Sequence, residues 1–263
     1  MNTARNEQFI VLLLAAAAAC CLFVPSAGAQ SIDVEPASTQ RWWQYSYQNR
    51  LSENWSFTTQ SGYRNLWESQ VVNDDWDRFH ISSAFSYRRH PRLNFDLGSG
   101  LFYTTRPVGS DLTEFRTWQG ATAYWPDSPG RFRRFVLTHR FRLEQRFSRQ
   151  SGTSSWDTNW RGRYRISTSV AINRKELEPG AFYVYMGGEV FADLDDDHSR
   201  FVSDRNRFSI GLGWLTTKSW TVEARYSYQN SRDAATRDFR LTDRIVELRV
   251  KTTLRVRDRM KEH

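Results

Sequence analysis

His80-Ile81-Ser82 puts a histidine and a serine two residues apart. On an extended strand that spacing brings both side chains to one face. A serine nucleophile needs a base within hydrogen-bond reach and a third group to orient that base. His80 and Ser82 are therefore the one candidate catalytic pair, for hydrolysis of an ester. A second cluster is Asp193-Leu194-Asp195-Asp196-Asp197-His198. Oxygen-rich runs suit calcium, but the spacing and glycine of a helix-loop-helix calcium site are absent. Asp193, Asp195, Asp196 and Asp197 thus read first as a solvated acidic loop and only weakly as metal ligands. The third set is the largest, arginines interleaved with carboxylates on one face of successive segments. It comprises Arg78, then Arg140, Arg142, Glu144 and Arg146, then Arg161, Arg163 and Arg165. Glu189, Arg207, Glu223, Arg225, Glu247 and Arg249 continue it. A guanidinium pairs two-pronged with a carboxylate and stays charged at physiological pH. Such a set builds either a rigid lattice of ion pairs or, where arginine is in excess, an anion-attracting surface.

These residues alternate with apolar ones at a period of two along almost the whole chain, the signature of strands with one apolar and one polar face. In 134–147, Phe135, Leu137, His139, Phe141, Leu143 and Phe147 share one face, and Arg134, Thr138, Arg140, Arg142, Glu144 and Arg146 the other. The pattern predicts strands near 41–51, 54–65, 75–89, 92–105, 112–125, 132–149, 156–173, 180–192, 204–216, 219–231 and 242–257. Most exceed the roughly five or six residues usual in globular sheets. Short connections, as at Ser52-Glu53-Asn54, His90-Pro91 and Thr217-Lys218, alternate with longer polar ones at 66–74, 106–111, 150–155, 193–203 and 232–241. Short turns at one end and longer loops at the other are the layout of an outer-membrane barrel. Trp55, Trp125, Trp214 and Trp220 stand against short turns, with Trp76 and Trp156 against long loops, as interfacial girdles require. The expected fold is all-β, an up-and-down antiparallel transmembrane β-barrel of about 10–12 strands.

Two features strain that expectation. Bacterial single-chain barrels have even strand numbers, so residues 30–40 are expected either to lead into the barrel or to add an edge strand. Segment 112–125 is the weakest strand, because Glu114, Arg116 and Trp118 share a face. Alternation alone also fits a soluble periplasmic binding barrel with its apolar face turned inward.

The N-terminus reads as an export signal. Arg5 is followed by an apolar run over residues 9–24, a break at Pro25-Ser26 and an Ala27-Gly28-Ala29 cleavage site. A lipoprotein-type reading at Ala17-Ala18-Ala19-Cys20 is the weaker alternative. The domain plan is a signal peptide at 1–29, a lead or edge strand at 30–40, a barrel at 41–257 and a tail at 258–263. Cleavage removes Cys20 and Cys21, the only cysteines, so neither disulfides nor a thiolate site is expected afterwards. The formal charge of +8 ordinarily raises nucleic acid as a partner. Export argues against that and leaves outer-membrane lipid, lipopolysaccharide phosphates and small anionic solutes. No phosphate-cradling glycine loop or dinucleotide fingerprint is present, so no cofactor is expected.

Two resemblances bear on function. His80-Ile81-Ser82 resembles the H-x-S element of outer-membrane phospholipases and lipid A deacylases. However, Ser83 stands where the phospholipase pattern has Asn, and the neighbouring glycine is missing. More broadly, Thr138-His139-Arg140-Phe141-Arg142-Leu143-Glu144-Gln145-Arg146-Phe147 resembles a family catalogued as domain of unknown function twenty-four ninety. Trp43-Gln44-Tyr45 with Leu51-Ser52-Glu53-Asn54-Trp55, Gly188-Glu189-Val190-Phe191 and Arg207-Phe208-Ser209-Ile210-Gly211-Leu212-Gly213 carry the likeness over roughly 40–257. The family implies an uncharacterised outer-membrane barrel and supplies no catalytic residues. The expected function is a non-enzymatic outer-membrane barrel, a narrow or plugged anion-preferring pore. A lipid-modifying hydrolase and a soluble periplasmic binding barrel are the alternatives.

Overall fold

A computed structural model of the chain describes residues 37–69, 75–125, 135–195, 205–232 and 238–255. The expected signal peptide at 1–29 and the expected tail at 258–263 lie outside these residues. Eleven strands form one sheet: β1 (Ser38–Arg50), β2 (Trp55–Glu68), β3 (Asp77–His90), β4 (Leu93–Thr105), β5 (Leu112–Trp125) and β6 (Phe135–Gln150), followed by β7 (Asp157–Ala171), β8 (Phe182–Asp193), β9 (Arg205–Leu215), β10 (Trp220–Arg232) and β11 (Phe239–Arg255). Each strand pairs antiparallel with its sequence neighbours, and β1 then pairs with β11 to close a barrel. Thirteen residues rise about 40 Å along a strand, and tilted by about 40° they span the roughly 30 Å of a bilayer's hydrocarbon.

Closure explains the odd strand number. Among eleven alternating strands the first and last run the same way, so the closing pair has to be parallel. It is parallel, from Ser38↔Asp243 to Arg50↔Arg255 without a register break. The expected parity does not hold, and the first strand begins at Ser38 with no separate edge strand between it and the seam. Parallel pairing is slightly weaker per residue, and side chains reinforce this seam. Ser38 Oγ (2.7 Å) and Gln40 Nε2 (2.6 Å) both donate to Asp243 Oδ1. Tyr45 donates its hydroxyl to Thr252 Oγ1 at 3.3 Å.

The two faces of the wall separate as the alternation predicts. Outward residues are apolar and bare: Leu97 is 66% exposed, Leu212 64% and Phe141 58%. They form a bare apolar surface that lipid has to cover. The soluble alternative requires this face to turn inward, and it does not. Trp55, Trp125, Trp214 and Trp220 are exposed at the short-turn end, where Phe182 stacks on Trp214 with ring centroids 5.4 Å apart. At the long-loop end the exposed tryptophans are Trp67, Trp156 and Trp160. Trp76 departs from the girdle: it is half-buried and lies beside the inward Arg78 guanidinium, 5.7 Å from its ring centroid.

The strand over 112–125 is as regular as the others. Glu114, Arg116 and Trp118 share a face because all three point into the lumen, while Phe115 points out. His139 lies on the outer face with Phe141, its Nδ1 2.8 Å from the Tyr164 hydroxyl. Placing a charge at Ile210, midway along β9 and 46% exposed, tests which way the wall faces. Ile210→Arg is expected to cost about 2–4 kcal/mol of folding free energy in phospholipid vesicles. Equilibrium unfolding in vesicles measures it, and an unchanged midpoint would show that this face does not meet hydrocarbon.

Candidate functional site

The lumen is lined by a belt of buried carboxylates, each held by arginines from its own or an adjacent strand or, for Asp96, from the next strand but one. Asp96 on β4 receives Arg140 Nη2 at 3.1 Å, with Arg142 at 3.6 Å, and accepts the Trp118 indole N–H at 3.1 Å. Glu114 on β5 pairs with Arg116 at 2.6 Å and with Arg146. Glu144 on β6 takes Arg161 and Arg163 at 2.5 Å each, and Arg142 at 3.6 Å. Glu189 on β8 takes Arg163 (2.7 Å), Arg165 (3.0 Å) and Arg207 (3.6 Å). Glu223 on β10 pairs with Arg225 and with Arg249 at 3.7 Å, and accepts the Tyr183 hydroxyl at 2.9 Å. Glu247 on β11 lies 3.6 Å from Arg249.

Strand register makes this belt. Glu144 stands opposite Arg161. Glu189 stands opposite Arg165 on one side and Arg207 on the other, and Glu223 stands opposite Arg249. A cross-strand pair is the unit of interaction on a sheet face, and here successive pairs share members, so the ion pairs link around the wall. Glycines give the larger side chains room to lie flat. A Cβ on Gly98 would lie 2.4 Å from the Trp118 ring, and one on Gly213 would lie 2.1 Å from Tyr183. Gly120, between Asp96 and Arg142 in register, leaves the space that the Asp96 carboxylate fills.

Aromatic rings hold the guanidiniums that carboxylates do not saturate. The Arg64 guanidinium carbon lies 4.0 Å from the Trp42 ring centroid and that of Arg207 4.8 Å from it. Arg116 stacks on Phe102 at 3.8 Å, Arg142 on Trp118 at 4.6 Å and Arg225 on Tyr185 at 3.5 Å. Stacking uses the face of a guanidinium and leaves its in-plane N–H edge available. Arg64 makes no ion pair among the described residues. Arg78 makes none either, and donates from Nε to Thr104 Oγ1 at 2.7 Å.

Every member of the expected charge network therefore faces the lumen, and all but Arg78 lie within 4.0 Å of an opposite charge. Glu114, Arg116 and the ring cradle of Trp42, Phe102 and Trp118 were absent from that expectation. The signal for Glu114 and Arg116 was present in the polar phase of 112–125. Inward aromatic residues carry no such mark, because their type alone assigns them to lipid.

The candidate catalytic pair is not assembled. His80 is 4% exposed and stacks on Phe102 with centroids 5.1 Å apart. Its Nδ1 has no hydrogen-bond partner, and no hydrogen bond joins it to Ser82 among the described residues. Both residues face the lumen. Asp193 accepts from the Asn159 amide and Asp195 from the Trp160 backbone N–H. Asp196 and Asp197 lie outside the described residues, among which no three potential metal ligands converge.

Two cavities lie in series. The wider, of about 470 Å³, reaches toward the short-turn end and is walled by hydroxyls and amides including Ser46, Gln48, Thr58 and Ser86. The narrower, of about 150 Å³, lies at mid-height among the arginines.

Residues 39–260 match the model of the family described as Protein of unknown function (DUF2490). The chain belongs to that family. No match is found among curated proteins. Similar solved structures include LpxR from Salmonella typhimurium, 8% identical, covering 76% of this chain and 83% of that one with a TM-score of 0.48. The translocator domain of autotransporter NalP from Neisseria meningitidis is 15% identical, covering 70% and 71% with a TM-score of 0.42. At these scores the likenesses assign no activity.

The ion-pair belt predicts an asymmetric response to mutation. Glu144→Ala strands the buried Arg161 guanidinium and takes one of two carboxylates from Arg142 and Arg163, and removing one partner of a buried pair costs about 3–5 kcal/mol. Glu178→Ala removes an exposed partner 4.0 Å from Arg174, worth about 0–0.5 kcal/mol. The thermal transition in detergent, read from heat-dependent gel mobility, is expected to fall for the first and stay for the second. Gly62→Ala sets a Cβ 2.2 Å from His80 Cε1. It is expected to destabilise by about 1–3 kcal/mol through overpacking, and to recover when His80→Ala is added.

Proposed function

We propose that this protein is a non-enzymatic β-barrel of the bacterial outer membrane that provides a narrow, anion-preferring passage. The observation that carries this reading is the imbalance in the lumen. The mid-height cavity is lined by nine arginines and three glutamates. Those glutamates are already shared among two or more guanidiniums or bound to Arg249. A fixed positive excess inside low-dielectric walls concentrates anions and repels cations. The bare outward face supports the membrane setting, with lipid and lipopolysaccharide as its surroundings, and small anionic solutes are the matching cargo. An eleven-stranded barrel lies between the filled eight-stranded case and the open sixteen-stranded porin, which suits a constricted rather than wide path.

A hydrolase is less well supported. His80 is stacked on Phe102, no hydrogen bond joins it to Ser82 among the described residues, and a lipid-cleaving site must open to the bilayer rather than to the lumen. The deciding measurement is single-channel conductance of the refolded protein in planar bilayers under a salt gradient. Stable steps are expected, with a reversal potential displaced toward that of the anion. Cation preference, or silence from inserted protein, would overturn the reading. A lipid-cleaving activity lost in Ser82→Ala would replace it with the hydrolase.

A further inference from the structure

The mid-height cavity carries more than a diffuse positive field. Arg64 rests on Trp42 by its face and makes no ion pair among the described residues. Its charge is opposed by Arg78, Arg207 and Arg116, and Glu247 is the carboxylate that reaches it. Around the same cavity, the Nε–H groups of Arg116, Arg140 and Arg142 and the Nδ1 of His80 are buried without a hydrogen-bond partner. Buried donors without acceptors are rare and costly. They stand around a cavity lined by nine arginines and three glutamates, an environment that favours an anion.

The chemistry of that anion can be narrowed. The lumenal rings have guanidiniums on them: Trp42 carries Arg64 and Arg207, Phe102 carries Arg116 and His80, and Trp118 carries Arg142. They are counter-surfaces for arginine, not open platforms for stacking a sugar or a base. What lines the space is a set of arginines from different strands, Arg64 from β2, Arg116 from β5, and Arg140 and Arg142 from β6. A carboxylate offers two oxygens in one plane, whereas a phosphate offers acceptors in three dimensions and up to two charges. The cavity volume of about 150 Å³ holds a group of that size with its hydration. Access runs through the wider cavity, which shares Gln44, Gln60, Arg140 and Arg142 with it. The site opens into the lumen, not the bilayer, so its ligand is water-soluble.

We propose that the lumen holds a discrete binding site for a small phosphate-bearing solute, with the in-plane edge of Arg64 as its principal contact and Arg116 and Arg142 completing it. The site rests on the anion-passage reading and makes it specific: the passage contains a binding stop for phosphate groups.

The test is calorimetric titration of the full-length refolded protein with inorganic phosphate, with ionic strength held constant by chloride. Saturable binding is expected, displaced by glycerol phosphate but not by glucuronate, which carries a carboxylate instead. Arg64→Gln is expected to weaken binding about tenfold or more, the worth of a charged hydrogen bond. Arg174→Gln, at an exposed loop position, leaves it unchanged. If Arg64→Gln does not fold, as judged by heat-dependent gel mobility, Arg64→Lys keeps the charge, loses the two-pronged edge and is expected to weaken binding too. No saturable phosphate binding, affinity unaffected by both Arg64 variants, or displacement by glucuronate equal to that by glycerol phosphate would overturn the site. The passage reading fails separately: phosphate binding with silent bilayers keeps the site and removes the passage, and anion-selective steps without phosphate binding do the reverse.

Discussion

A peptide group facing hydrocarbon has nothing to hydrogen-bond except another strand, and an open sheet edge there leaves a row of donors and acceptors unmet. The architecture follows from that. Eleven strands meet the demand by closing on themselves, and closure divides every strand into a face for lipid and a face for the lumen. Once the outer face is committed to Leu97, Phe141, Ile210 and Leu212, the polar half of each strand has no choice but to point inward. The charge density of the lumen is thus a consequence of the wall as well as a functional feature.

Inside, the scarce component is the carboxylate. Most of the buried acids are shared, and several pairs form a linked series: Asp96 to Arg142 to Glu144 to Arg163 to Glu189 to Arg207. Aromatic faces support Arg64, which has no acid among the described residues, and also Arg116, Arg142, Arg207 and Arg225, which have one. This arrangement reconciles two roles that compete in a narrow lumen. Ion pairs make the wall stiff, and ring-stacked arginines keep hydrogen-bonding edges unspent. A lumen of matched pairs alone is a plug, and one of unpaired arginines alone repels itself.

Much of this was legible in the sequence because a strand has a period of two and no freedom to choose faces. The phase of Phe135 to Phe147 assigned Arg140, Arg142, Glu144 and Arg146 inward, and all four are there. The same rule, applied without exception, would have placed Glu114, Arg116 and Trp118 inward too. Their mixture of charge and aromatic character obscured it, since tryptophan is expected at the lipid interface. Trp42 and Trp118 sit inside because a ring beside a guanidinium is stabilised there, an interaction between strands that no single segment reveals. Which acid meets which arginine depends on register, set by the whole ring of pairings. The parallel seam left no local mark either, because β1 and β11 are ordinary strands whose relation is fixed only by their count.

That seam has a consequence for how the molecule is oriented in space. Because β1 and β11 run side by side in the same direction, the first strand of the barrel starts at the rim where the last one also starts, and Ser38 and Arg255 open onto opposite mouths. An even-stranded barrel returns its chain to the rim it left, so both flanking segments share a compartment. Here β1 starts at the long-loop rim and β11 ends at the short-turn rim. The two ends cannot be joined by a hairpin, since a linker would have to cross the roughly 30 Å of the wall. The polypeptide is in this sense a thread passed through the membrane once, wound into a cylinder on the way.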